Sequence, residues 1–121
     1  MNRPKIKGTS WESAIVGYLR GRGARHAERR ALNGTTDRGD IAGVIGVVME
    51  AKNAREHKLA VWVNEMRVEV VNDGARVGAV WIKRVGKASP RDGYVVLTGA
   101  DWVTLLIEAG YIPTQTDEVL T

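Results

Sequence analysis

Three charged residues interrupt an otherwise apolar stretch near the middle of the chain. Asp40 opens the run "DIAGVIGVVMEAKN", and Glu50 and Lys52 close it. Charged groups are costly in a buried sheet, so their placement there calls for a function. Glu50 and Lys52 are two apart, which puts them on one face of a strand, with Met49 and Ala51 on the other. If strands at roughly 40–44 and 46–52 pair through the turn near Gly43 and Gly46, Asp40 approaches Glu50. Two carboxylates that close repel unless a cation joins them. A hard divalent ion such as magnesium, with oxygen ligands, does so, and Lys52 adds positive charge beside it. Such a set suits hydrolysis of a phosphodiester: the metal polarises the phosphate and lowers the pKa of a water, and the lysine orients that water or neutralises growing charge.

The elements that must position these residues are legible in outline. Residues 7–23 read as a helix, with Trp11, Ala14, Ile15, Tyr18 and Leu19 at helical spacing. Thr9 and Glu12 form a capping-box pattern, and Gly21 and Gly23 end the helix. "ARHAERR" suggests a strand and "ALNGTTDRG" a loop. Residues 57–74 carry strand-like valines, yet Leu59, Trp62, Val63, Met66 and Val70 share a helical face and Gly74 is a natural stop, which favours a helix. "RVGAVWIKRVG" and "GYVVLTG" read as strands joined by a basic loop. "TGADWVTLLIEAG" is a last helix with Thr98 and Asp101 at its start. The expected fold class is α/β: a single domain over 1–121, with a mixed sheet of about five strands flanked by helices and loose ends at 1–7 and 113–121.

The chain has 121 residues, 44% of them hydrophobic, and no cysteine. That suffices for one core and excludes disulfides and thiolate zinc sites. The net charge of +4 favours a polyanion partner. The basic charge is uneven: nine Lys and Arg lie between Arg3 and Arg38 against Glu12, Glu28 and Asp37, which points a polyanion at this third of the chain. No apolar run is long enough to span a bilayer, and no apolar signal core follows the basic start. A cytoplasmic location is expected, in a host cytoplasm if the chain is phage-encoded.

Asp40 followed by Glu50-Ala51-Lys52 at the end of an apolar strand resembles the PD-(D/E)XK nuclease superfamily. With "KGTSWESAIVGYLRGRG", "RR", "GDIAG" and "VVMEAKN", the match over residues 7–53 resembles the archaeal-type Holliday-junction resolvases. The resemblance implies a restriction-endonuclease-like fold and a magnesium-dependent homodimer that cuts two opposing strands of a four-way DNA junction, with manganese able to substitute. It implies that Glu12 joins Asp40, Glu50 and Lys52 in the catalytic set, that the metal lies at Asp40, Glu50 and Ala51, and that Arg29 and Arg30 contact DNA. Gly39 stands where the superfamily name has proline, and the second half of the chain carries no matching motif.

Lys5, Lys7, Arg25 and Arg38 are further candidates for phosphate contacts. Adjacent strand residues face opposite ways, so only one of Arg29 and Arg30 is expected at the site. Glu12 has a rival role as a capping residue, and His57 reads as an exposed histidine at a helix start. Trp62 and Met66 suit core or dimer contacts, and Trp62 and Val63 on the second helix are candidate interface residues. Two other functions fit the same residues: a nuclease for flaps, forks or duplex ends, and a non-catalytic basic DNA-binding module.

Overall fold

The computed structural model describes residues 3–31 and 37–115, with side chains from Gly8 onward. Its elements are α1 (Arg3–Gly21), β1 (Glu28–Arg29), β2 (Ile41–Ala42), β3 (Val47–Lys52), α2 (Leu59–Asp73), β4 (Val77–Ile82), β5 (Tyr94–Val96) and α3 (Gly99–Glu108). A 3-10 turn at Pro90–Asp92 precedes β5. This is the expected order of helix, three strands, helix, two strands, helix.

The strands form two sheets rather than a single five-stranded one. β3, β4 and β5 make a three-stranded sheet in that order, with β3 and β4 parallel and β5 antiparallel to β4. β1 and β2 form a separate antiparallel ribbon. The turn between β2 and β3 holds Gly43 and Gly46 at φ +94° and +86°. A Cβ at Gly43 would overlap the His26 carbonyl, so β2 folds back onto the segment leading into β1 instead of zipping along β3. One backbone bond spans the gap, from the Asp40 amide to the Met49 carbonyl at 3.0 Å.

The three-stranded sheet has a helix on each face, because its residues alternate. Val48, Val80 and Ile82 face α2 and pack with Trp62, Met66 and Val70. Met49, Ala51 and Trp81 face the other way, against the cluster of Trp11, Ile15, Val16 and Ile41. α2 makes the crossover between the parallel strands β3 and β4. It lies close on Gly78, where a Cβ would come within 2.5 Å of the Met66 sulfur, and it ends at Gly74 as expected. Trp62 is thus a core residue of the single chain, with the partly buried Val63 packed against that core.

α1 differs from its expected start. It begins at Arg3, so Thr9 lies inside the helix and is not its cap. The capping role considered for Glu12 falls away with it. Lys5 and Lys7 belong to helical backbone, and their side chains lie outside the described residues. The looseness expected for the ends falls partly on residues 1–2 and 116–121, which also lie outside. At α3 the expected cap is present: the Thr98 hydroxyl accepts from the Asp101 amide at 3.2 Å. Asp101 itself is buried and accepts from the Gly78 amide at 3.1 Å and from Arg67 at 2.7 Å, which ties α3 to β4 and α2.

Candidate metal centre

Asp40 sits just before β2, and the β3 edge holds it twice. Its amide donates to Met49, and its Oδ2 accepts from the Ala51 amide at 2.8 Å. In a strand, the N–H and C=O of one residue point to the same side. The Ala51 carbonyl therefore also opens toward Asp40, away from β4. One carboxylate and one backbone oxygen thus share the β3 edge.

Glu50 follows from the strand alternation. It lies on the α2 face with Val48 and Val80, so it is carried into the interior and is 6% exposed. Its Oε1 is buried without a hydrogen-bond partner. Its Oε2 lies 3.8 Å from the Lys52 Nζ. Lys52 also lies 3.5 Å from Glu65 and over the Trp62 ring at 5.7 Å, so α2 holds the lysine beside Glu50. Burial raises the Glu50 carboxyl to about 10, reinforced by Asp40 and Glu69, with Lys52 opposing.

Glu12 comes from the middle of α1. Its carboxyl is raised by burial and by the charge of Asp40, and Arg29 lowers it through a contact at 3.3 Å. Arg29 therefore reaches the acidic group through Glu12. Arg30 turns the other way, 3.7 Å from Asp73, where Arg38 also binds at 2.9 Å. Of the two adjacent arginines, Arg29 contacts Glu12 and Arg30 contacts Asp73. Arg25 is exposed in the turn after α1.

Two further acids belong to the group and were not singled out in the sequence. Glu69 on α2 is 2% exposed, and both of its carboxylate oxygens are buried without partners. Asp37 lies on the loop before Asp40. One oxygen each from Asp37, Glu50 and Glu69 lie within 4.8 Å of one another, and this group can hold a metal ion. Burial, then Asp37, raises the Glu69 carboxyl to about 8. The available signal was its position: Glu69 follows Met66 by three and precedes Val70, so it interrupts the apolar stripe of α2. Burying Met66 and Val70 contributes about 1.5–3 kcal/mol each, which helps to carry Glu69 out of water on the same face.

The donor chemistry fits a hard divalent cation. As carboxylates, Glu50 and Glu69 are acceptors only, so their orphaned oxygens need either protons or a cation. All side-chain donors are oxygens, the preference of magnesium, calcium and manganese. No Lys or Arg of the described residues lies within ion-pair distance of Asp37, Asp40 or Glu69. Among the described residues, no helix is long and apolar enough to cross a membrane.

No protein-family model, curated protein or solved structure matches this chain.

Proposed function

We propose that this chain is a magnesium-dependent DNA endonuclease of the PD-(D/E)XK kind, acting on branched DNA and specifically on four-way junctions. The observation that carries the reading is the Asp40–Ala51 clamp, which sets a carboxylate beside the Glu50-Ala51-Lys52 tripeptide at one strand edge. The reading takes the β1–β2 ribbon and the three-stranded sheet, joined at Asp40, as one restriction-endonuclease-like unit.

Asp40, Glu50 and the Ala51 carbonyl would hold the magnesium, which when bound supplies an activated water and charge stabilisation at the phosphate. The protein's own groups do the rest. The Ala51 amide fixes the Asp40 carboxylate before substrate arrives, so no reorganisation is needed. Lys52, held by Glu50, Glu65 and Trp62, presents its ammonium to the attacking water or to the charge building on the phosphate. Glu12 extends the acidic group and anchors Arg29, which with Arg30, Arg38, Arg25 and the lysines of α1 would hold neighbouring phosphates.

Two symmetric cuts need two sites, so the reading includes a homodimer. Support comes from α3 and β5, which expose Val95, Trp102, Val103 and Leu105. The test is cleavage of a labelled four-way junction against flap, fork and linear duplex controls. Cuts in flaps or forks alone would keep the nuclease and change its substrate. Binding without any cut would favour a DNA-binding module.

A further inference from the structure

The acidic group extends beyond the position defined by Asp40, Glu50 and Ala51. On the α2 side of Glu50 lie Glu69 and Asp37, and neither belongs to the motif that resembles a nuclease. Three observations meet there. Carboxylate oxygens of Asp37, Glu50 and Glu69 converge within 4.8 Å. Glu69 is almost wholly buried, with neither oxygen partnered. No cationic side chain of the described residues contacts Glu69 or Asp37.

We propose that a second divalent cation binds between Asp37, Glu50 and Glu69, sharing Glu50 with the Asp40 position, and fastens the loop carrying Asp37 to α2. This rests on the reading of Asp40, Glu50 and Ala51 as the first cation position. The geometry points the same way. With a single ion at Asp40 and Glu50, Glu69 and Asp37 face each other with no positive partner, and the buried Glu69 must then either keep a proton or share a second cation with Asp37 and Glu50.

The cross-link also has a mechanical sense. The three ligands come from three elements: the loop, β3 and α2. The C-terminal end of α2 already grips that loop by two weaker contacts, Asn72 to the Asp37 carbonyl at 2.8 Å and Asp73 to Arg38 at 2.9 Å. Both are exposed. A cation at Glu69 would add a buried fastening next to them. It would thereby fix the approach to Asp40, three residues further on.

The experiment is a manganese titration of the whole chain without DNA, followed by electron paramagnetic resonance and calorimetry. The expected result is two ions per chain. Glu69→Gln and Asp40→Asn should each bind one. Asp37 is exposed, so Asp37→Asn tests the same position without disturbing the interior, and it should weaken one of the two ions at least tenfold. Hydrogen exchange should show manganese slowing the amides of residues 37–40 in wild type and in Asp40→Asn, and not in Glu69→Gln. One ion in wild type, or two undiminished ions in both Glu69→Gln and Asp37→Asn, overturns the proposal. Wild type that binds one ion and cleaves DNA removes the second position and keeps the nuclease. Wild type that binds two and cleaves nothing does the reverse.

Discussion

The Asp40 carboxylate accepts a hydrogen bond from the Ala51 amide at 2.8 Å. This contact joins the two sheets and brings the start of β2 to the residue between Glu50 and Lys52. A side-chain oxygen satisfies the strand edge where a further strand would otherwise pair. The same oxygen is thereby fixed in place, so the link that holds the fold together also builds the site.

Asp40→Asn separates these two roles. The amide oxygen can still accept from Ala51, and one negative charge beside Glu50 is gone. Stability should therefore change by no more than about 1 kcal/mol, while cation binding at that position and DNA cleavage are lost. Thermal melting alongside cleavage checks both. A large loss of stability would show that the carboxylate is mainly structural.

Lys52→Met should lower the cleavage rate by about a hundredfold or more, the scale of removing one preorganised charge-stabilising group. Affinity for manganese should stay the same or rise, because a positive charge 3.8 Å from Glu50 is removed. Single-turnover kinetics with a parallel metal titration separates the two effects. Weakened metal binding would contradict the role given to the lysine.

The pH dependence of stability follows from Glu50 and Glu69. In the cation-free protein their carboxyls are raised to about 10 and about 8, from an ordinary 4.5. The folded state therefore holds protons that the unfolded state releases. Stability from this source falls as pH rises from about 4.5, and the fall ends once pH passes the folded values. Denaturant unfolding in EDTA should show a midpoint that drops between pH 6 and pH 9. Magnesium should flatten that slope, and Glu69→Gln should reduce it. A midpoint that stays level or rises over this interval would mean the two groups are ionised and compensated without a cation.

Asp101→Ala tests the far side of the fold. It removes the acceptor of the Gly78 amide and of Arg67. Loss of a buried charged acceptor costs about 2–3 kcal/mol, and Arg67 is exposed enough to recover part of it. Chemical denaturation should show that loss, with manganese stoichiometry unchanged in the folded protein.

Trp102→Asp should convert the proposed homodimer to a monomer and leave each chain folded, since Trp102 is half exposed. Sedimentation velocity at assay concentration reads this directly. A wild-type chain that stays monomeric removes the dimer from the account.

The Glu50-Ala51-Lys52 tripeptide and its nearness to Asp40 were legible because their signal is local: charged residues at fixed spacing in an apolar run. The direction of Glu50 was legible too, since strand alternation puts it opposite Met49 and Ala51. Its depth was not, because that depends on α2 covering the same face. Glu69 was hidden for the same reason. A glutamate in a helix ordinarily points to solvent, and only the packing of Met66 and Val70 against β4 carries it inward. The division into two sheets turned on the close approach of Gly43 to His26, a contact between segments apart in sequence. Thr9 and Glu12 match a cap that places the start of α1 too late, because the longer helix begins at Arg3 and does not use it.

The central claim is that Asp40, Glu50 and Lys52 form a cation-dependent phosphodiesterase site for branched DNA. The most direct test is cleavage of an end-labelled four-way junction by wild type in magnesium, by wild type in EDTA, and by Glu50→Gln in magnesium. Paired symmetric cuts in the first reaction alone are expected. Equal cutting in all three, or intact junctions in wild type with magnesium or manganese, would contradict it.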